Sequence, residues 1–518
     1  MGIKRYIANV DTTITNAYKL NLSTRGTGSN MGASDVLEVF SIYAQAASSS
    51  AELSRILVKF PTADISTDRT AGTVPASGSV SFYLRMFNCK HAFTLPRDFK
   101  LVITPLNVDW EEGIGLDMEN YQDETKDSIA GANWINRVKG TAWTTPGAAR
   151  NQQDLYGLTE TVTFNTGSED LEVDISRQVE DWLASTYTNN GLLISLTSSQ
   201  EAYVERSDDN SIAYQNTTGS KASNYTKKFF SRTSEFFYKR PMIEARWNSA
   251  KKDDRNNFYY SSSLVPQIDN LNTVYFYNYV RGTLKDIPDV STGPIYVTIF
   301  SGNVGNTAPT TASIKLPQGG GVTASSTGYP TYVTGGHVST GIYSASFALT
   351  GARSALTEVY DVWSNTADRT QSGYIQYHTG TISPKEFVGS NINPSPEYST
   401  TITNLKSTYR RTETPIFRLF VREKDWSPSI YTKATAAAKS TIIQSGSYRI
   451  VRAIDNYDVV PYGTGSDLYS HLSYDVSGNY FDFNMGLLED GYAYKIKLSY
   501  YVNNDHVEQS EEFKFRVE

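Results

Sequence analysis

Hydrophobic and polar positions alternate in short runs along most of the 518-residue chain. Residues 54–60 and 99–103 are two examples, rich in the β-branched, aliphatic and aromatic side chains that favour strands. Turns rich in Gly, Asn and Ser separate these runs. The pattern therefore predicts an all-β protein built from many short strands.

Only two stretches carry a pattern that indicates helix. One covers residues 33–47. The other covers residues 175–185, where Ile175, Val179 and Trp182 fall on one helical face. We expect both helices to be small additions to sheets.

Chain length and two breaks in the strand pattern predict several domains. A single hydrophobic core rarely serves more than about 250–300 residues. Residues 245–270 are polar, and residues 380–400 carry Pro384, Pro394 and Pro396. We expect an N-terminal attachment segment at residues 1–29 and domains at residues 30–247, 268–380 and 402–518.

A succession of short apolar and aromatic phrases marks the first half of the chain. The phrases are residues 56–61, 80–85, 101–106, 109–112, 133–135, 142–148, 173–175, 179–183, 189–194, 230–233 and 240–243. Their order and spacing resemble the DNRLRE family of jelly-roll β-sandwiches over residues 30–247, although the motif that names the family is only partly present. The resemblance implies a jelly-roll fold and no catalytic residues. Related domains occur in virion proteins and, often as glycan-associated modules, in secreted bacterial proteins.

The second half of the chain contains an internal repeat. The paired phrases are residues 268–271 with 402–405, 279–281 with 420–422, and 338–343 with 476–480. The distance in sequence between the two members of each pair is nearly constant, and ordinary variation in loop length accounts for the differences. We therefore expect two related, Ig-like β-sandwiches in tandem. Concatenated sandwiches of this style resemble virion structural proteins of tailed phages.

Composition narrows the classes of partner. The net charge of −7 and a pI near 5.5 lack the basic excess that binding a phosphate backbone requires, so we expect no direct nucleic-acid contact. The single cysteine, Cys89, excludes an internal disulfide and a zinc site built on cysteines. The 36 Tyr residues suit half-buried strand surfaces and contacts between proteins.

The sequence also bears on where the protein works. We find no stretch approaching twenty apolar residues and no start that resembles a signal peptide. We therefore expect synthesis in the reducing cytoplasm of a host and a final location in the virion, without a membrane span. Residues 1–27 are polar with scattered apolar positions. They are either held by a partner or packed along their own domain, and we expect a partner.

No constellation of residues with catalytic or metal-binding spacing is evident. The histidines His91, His337, His378, His471 and His506 lie far apart in sequence. Asp109, Glu111 and Glu112 beside Trp110 could imitate a glycosidase pair, but the resemblance makes this Trp a core residue. A third group of acids lies in loops and could bind calcium: Asp117, Glu119, Asp123, Glu124, Asp208 and Asp209. The simpler interpretation is that they belong to solvent-exposed turns. We predict no catalytic residues, no metal site and no cofactor.

The leading hypothesis is a non-catalytic structural protein on the exterior of a tailed-phage particle, present in repeated copies and bound to other virion proteins. Its place at the neck or collar, the baseplate or the capsid surface stays open. The first alternative is an adhesion module that binds host or environmental polysaccharide through exposed Trp and Tyr. The second is a polysaccharide-degrading enzyme, which would need convergent carboxylates.

Overall fold

The computed structural model describes residues 2–90, 97–119, 131–149, 153–205, 214–223, 225–301, 314, 330–350, 356–386, 396–424, 440–463 and 467–518. The fold is all-β, as the sequence predicts. The chain divides into two compact units, residues 2–248 and residues 249–518. Within the described ranges, no helix is long and apolar enough to cross a membrane.

The described part of the first unit, residues 2–248, consists of strands with two α-helices and a 3-10 helix. The strands are β1 (Ile3–Ile7), β2 (Val10–Thr15), β3 (Val36–Tyr43), β4 (Ala51–Lys59), β5 (Ser81–Met86), β6 (Phe99–Pro105), β7 (Asn136–Val138), β8 (Thr141–Ala142), β9 (Glu160–Phe164), β10 (Leu171–Asp174), β11 (Leu192–Leu196), β12 (Tyr225–Phe230) and β13 (Met242–Arg246). The helices are α1 (Thr62–Thr70), α2 (Ser176–Leu183) and the 3-10 helix Phe237–Lys239.

Two main sheets form this unit. The smaller has the strand order β1-β13-β5-β10, and the larger has the order β12-β3-β4-β11-β6-β9, with β2 also paired to β4. Alternate residues of both sheets, such as Ile56, Leu84 and Ile103, share one hydrophobic core. Leu57 and Leu193 point from the opposite face of the larger sheet into a second core around Trp134. Strand β4 is therefore covered on both faces, which explains its continuous apolar run.

The helix predicted at residues 175–185 is confirmed as α2, whereas the helix predicted at residues 33–47 is wrong. Residues Val36–Tyr43 form strand β3, in which Leu37 and Val39 are buried at the period of two. Pairing with β12 and β4 on its two edges fixes this strand. The tertiary partners of β3 override its local helical signal.

The predicted attachment segment, residues 1–29, contributes directly to the two sheets. Strand β1 pairs with β13, and β2 pairs with β4 along its whole length. Ile3, Tyr6 and Ile14 are buried in these positions. Residues 3–15 thus pack along their own unit, and contact with an external partner stays a prediction.

A buried ion-pair network lies on the face of the smaller sheet opposite its core. The neighbours of Glu244 in β13, Ile243 and Ala245, point into the core, so Glu244 points the other way. Its carboxylate lies 2.7 Å from Arg5 Nε, 3.2 Å from Arg85 Nη1 and 2.7 Å from Arg246. Burial by itself raises the pKa of Glu244, but the three guanidinium groups hold this pKa far below its usual value.

The second unit, residues 249–518, also consists of strands, with short 3-10 helices at Asp254–Asn256, Gln267–Asn270 and Met485–Leu487. Its strands up to residue 382 are β14 (Asn272–Tyr277), β15 (Tyr279–Val280), β16 (Thr283–Leu284), β17 (Ile295–Phe300), β18 (Tyr332–Ser339), β19 (Ile342–Phe347), β20 (Val359–Ser364) and β21 (Gln376–Ile382). The later strands are β22 (Tyr398–Ile402), β23 (Thr408–Tyr409), β24 (Ile416–Glu423), β25 (Gly446–Arg452), β26 (Asp458–Val460), β27 (Ser473–Asp475), β28 (Gly478–Asp482), β29 (Ala493–Val502), β30 (Asp505–Glu508) and β31 (Phe513–Val517).

Segments 249–386 and 396–518 share much of their strand order. The order β14-β19-β18 in the first corresponds to β24-β28-β27 in the second, and β17-β20-β21 corresponds to β25-β29-β31. Strand β18 pairs with β17 through its first half and with β19 through its second half. In the second segment two separate strands make the corresponding pairings: β26 pairs with β25, and β27 pairs with β28. A parallel bridge, Tyr259 to Lys385 in the first and Thr408 to Arg516 in the second, joins the beginning of each segment to its end.

The core of segment 249–386 begins before the predicted boundary at residue 268. Phe258 and Tyr260 are buried among Val274, Phe347 and Trp363. Sequence analysis did not assign these two aromatic residues to the core, because residues 245–270 are mostly polar. The unit boundary at residues 248 and 249 lies beside the predicted end of the first domain at residue 247.

Residues 251–254 connect the two segments of the second unit through hydrogen bonds. The Tyr474 N–H donates to Lys251 O at 2.9 Å, and the Asp253 N–H donates to Tyr474 O at 3.0 Å. The carboxylate of Asp254 accepts from Tyr474 Oη at 2.6 Å and from the Thr273 N–H at 2.7 Å. One half-buried carboxylate therefore holds a strand from each segment.

Replacing Tyr474 with Phe is expected to weaken this connection. The lost hydrogen bond is charge-assisted, a type that contributes about 1.5–3 kcal/mol. Hydrogen exchange at the amides of Asp253 and Tyr474 should accelerate about tenfold or more. The control is Tyr501→Phe, the same chemical change at an exposed position. Unchanged exchange in Tyr474→Phe would show that the Asp254 contact does not hold the segments together.

Candidate binding cleft

A cleft of about 410 Å³ lies on the face of the larger sheet where β6 and β11 are neighbours. Its apolar lining is Val102, Ala148, Leu155 and Leu193, and its polar lining is Arg55, Thr104, Tyr156, Thr159, Ser195, Thr197 and Ser198. Leu101, Ile103, Leu192 and Ile194 point into the core, so the residues between them in sequence face the cleft.

Hydroxyl groups dominate the polar lining. The side chains of Thr104, Tyr156, Thr159 and Ser195 make no hydrogen bond to any other residue that the structure describes. The Thr197 hydroxyl, by contrast, donates to Gln200 Oε1 at 3.0 Å. Because a hydroxyl both donates and accepts, the first group presents unused hydrogen-bonding capacity of both kinds to the cleft.

The aromatic ring at the cleft is held by a second ring. Tyr156 and Tyr187 have ring centroids 4.2 Å apart at an interplanar angle of 45°. Such pairs stabilise a fixed ring orientation. Tyr156 therefore presents a positioned, half-buried ring to the cleft.

Arg55 lines the cleft as a fully paired cation. Its side chain is 1% exposed, and its Nη2 atom lies 2.9 Å from Glu201 Oε1. It also donates to Gly147 O and to Tyr214 Oη, and its guanidinium lies 5.1 Å from the Trp134 ring. Burial alone lowers the pKa of Arg55, but the Glu201 charge outweighs this and keeps the pKa above its usual value. Sequence analysis missed this residue, since it stands inside an apolar run.

The predicted acidic residues do not line the cleft. Trp110 is buried and donates from Nε1 to Asn190 O at 2.8 Å, so it is the core residue that the resemblance implies. Glu112 binds the Arg232 guanidinium and accepts from the Asp11 N–H at 2.8 Å. Asp109 pairs with Lys59 at 3.3 Å. The Glu111 Oε2 atom is buried without a hydrogen-bond partner among the described residues.

Asp11 is a further buried ionisable residue that sequence analysis missed. Its Oδ2 atom accepts from the Arg232 N–H at 2.7 Å. Burial, together with the nearby charge of Glu112, raises the pKa of Asp11 to about 7, although Arg232 opposes this shift. The sequence around Asp11 did not indicate its burial, because a single acid among threonines in a strand resembles an ordinary exposed position.

The acids considered for calcium do not assemble within the described part of the chain. Asp117 Oδ1 accepts from the Glu119 N–H at 2.8 Å, and Glu119 Oε1 accepts from the Leu20 N–H at 2.5 Å. Asp123, Glu124, Asp208 and Asp209 lie outside the described residues. Among the residues that are described, no group of three or more His, Cys, Asp or Glu could hold a metal ion.

The described histidines have different contacts, although the charge of His506 adds to the lowering of the pKa of His471. His337 Nε2 lies 3.0 Å from Asp286 Oδ1, and His378 stacks on Phe276 with centroids 5.2 Å apart. Burial lowers the pKa of His471 to about 4, which keeps its imidazole neutral at physiological pH. His506 contacts the Tyr501 ring. His91 lies outside the described residues.

Comparison with known proteins adds no family assignment. Neither a protein-family model nor a curated protein matches the sequence. Among solved structures, the crystal structure of a DUF4785 family protein from Legionella pneumophila aligns over 99% of this chain and 92% of that one, at 8% sequence identity and a TM-score of 0.12. A TM-score this low does not relate the two folds.

Proposed function

We propose that this protein is a non-catalytic structural component on the exterior of a tailed-phage virion, where it acts through contacts with other virion proteins. The observation that carries the proposal is the shared strand order of segments 249–386 and 396–518, which follow a separate two-sheet unit. Concatenated sandwiches are scaffolds that present surfaces at fixed spacing. They suit an architectural protein more directly than an enzyme.

The finer architecture belongs to the same proposal. Segment 396–518 has sheets ordered β22-β24-β28-β27 and β23-β31-β29-β25-β26, with β23 parallel to β31. Two facing sheets with this order are what an Ig-like sandwich requires. Segment 249–386 repeats most of that order, which supports a tandem pair of Ig-like sandwiches.

The DNRLRE-like jelly roll of residues 30–247 is supported by the burial of the phrases that suggested it. Trp110, Trp134, Trp143 and Trp182 are all buried. Gly147 has a φ of 73°, and a Cβ at this position would lie 2.5 Å from the Trp134 ring. The phrase 142–148 thus closes tightly over the second core and has a structural role.

The absence of catalysis is supported by how the candidate acids are used. Glu112 is neutralised by Arg232, and Asp109 is paired with Lys59. Glu201 and Glu244 are buried against arginines. A catalytic pair needs carboxylates that converge on one accessible bond, and these acids serve internal ion pairs instead.

Immunogold electron microscopy tests the virion assignment. Antibodies raised against the purified chain should label intact particles isolated from lysed host cultures, at the neck or collar, the baseplate or the capsid surface. Isolated particles should also contain the chain in several copies by quantitative mass spectrometry. Particles that carry neither label nor peptides, while the free protein is abundant in the lysate, would overturn the proposal.

A further inference from the structure

We propose that the cleft formed by β6 and β11 binds an uncharged saccharide. This inference goes beyond the structural role, because a scaffold needs no cleft of about 410 Å³ with unused hydroxyl groups. The volume falls within the range of about 300–1,000 Å³ that is typical of small-molecule sites. The lining residues select the class of ligand in three ways.

The first selecting feature is the set of hydroxyls without intramolecular partners. Thr104 and Ser195 lie on adjacent strands, and Tyr156 and Thr159 belong to the connection that leads into β9. Each can donate one hydrogen bond and accept others. A sugar presents hydroxyls with the same dual capacity, so donors and acceptors can be matched without either partner carrying charge.

The second feature is the apolar surface beside these hydroxyls. Val102, Leu155 and Leu193 form an aliphatic floor, and Tyr156 adds an aromatic ring that Tyr187 holds in place. A pyranose carries C–H groups on its faces and hydroxyls on its edge. The apolar floor of the cleft stabilises the C–H faces of the sugar by burying them. The hydroxyls that line the cleft can form hydrogen bonds with the hydroxyls on the edge of the sugar.

The third feature is the lack of available charge. Among the described lining residues, Arg55 has the one side chain that is ionised at neutral pH, and it is committed to Glu201, Tyr214 and Gly147. A carboxylate, sulfate or phosphate in this cleft would lose its hydration without gaining a counter-charge. Uronic acids and other anionic sugars are therefore excluded, and neutral sugars are selected.

Isothermal titration of the full chain tests the inference with defined probes. The neutral probes are hexasaccharides of glucose, mannose, galactose, xylose and N-acetylglucosamine, and the anionic probe is a hexamer of galacturonic acid. We expect at least one neutral probe to bind at one site per chain and the anionic probe not to bind. Titration with neutral probes up to millimolar concentrations covers the weak affinities usual for solvent-exposed sugar sites.

Variants of the cleft locate the binding. Tyr156→Ala and Ser195→Ala should each weaken binding at least fivefold, whereas Tyr279→Ala, at an exposed tyrosine of the other unit, should leave it unchanged. Ser195→Ala removes one small hydroxyl and keeps the proposal testable if Tyr156→Ala does not fold. The inference is overturned if no neutral probe binds the folded chain, if only the anionic probe binds, or if the cleft variants bind like the original. Because this readout uses purified protein, its failure is independent of the particle-labelling experiment.

Discussion

Replacing Arg55 with Met is expected to lower the free energy of unfolding of residues 2–248 by about 3–5 kcal/mol. The guanidinium is the buried counter-charge of Glu201, and without it Glu201 remains in the interior as an unpaired anion. Chemical denaturation followed by Trp fluorescence measures the loss. The probe is suitable because Trp110, Trp134, Trp143, Trp182 and Trp247 all lie in this unit.

Two comparisons isolate the cause of the Arg55 effect. Arg69→Met removes a half-buried ion pair with Glu180 and should cost only about 0.5–1 kcal/mol. Adding Glu201→Leu to Arg55→Met should recover more than half of the loss, since the stranded anion is then gone. An Arg55→Met protein as stable as the original would contradict the buried ion pair.

The second large effect is expected for Glu244→Gln, also about 3–5 kcal/mol. This change leaves Arg5, Arg85 and Arg246 close together without the carboxylate that they share. Glu172→Gln is the matched control, because Glu172 pairs with Arg85 and Arg246 but its side chain is 41% exposed. We expect the control to cost no more than about 1 kcal/mol.

Acid should reproduce part of the Glu244 effect in the unmodified protein. The pKa of Glu244 in the folded state is far below its unfolded value of about 4.3. The stabilisation is therefore complete above about pH 5 and is lost as the pH falls toward the folded pKa. Glu244→Gln should show a shallower loss of stability than the original protein below about pH 4. Equal slopes would mean that other carboxylates control the acid response.

The sequence predicted the all-β class because period-two patterns are local and frequent. It also predicted α2, whose buried residues Val179 and Trp182 repeat at helical spacing. It failed at β3, since a strand between two partners is fixed by pairing that no local pattern encodes. Helix α1 was missed because only Ile65 of its nine residues is buried, which leaves no apolar face to detect.

The cleft could not be predicted from the sequence. Its lining comes from strands β4, β6 and β11 and from residues 148, 155–157, 159, 197 and 198, which become neighbours only when the sheet forms. Thr104 and Ser195 resemble ordinary strand residues in the sequence. Their unused hydroxyls become apparent only when the hydrogen bonds of the surrounding residues are known.

The parallel pairing of β23 with β31 has a mechanical consequence. It joins Thr408 to Arg516 and Tyr409 to Val517, so the second strand of segment 396–518 and its last strand run side by side in the same direction. A force that pulls the two ends of the segment apart therefore loads these hydrogen bonds in shear, and they must break together. A hairpin pulled at its open end would lose its bonds one by one. The bridge from Tyr259 to Lys385 places segment 249–386 under the same kind of load.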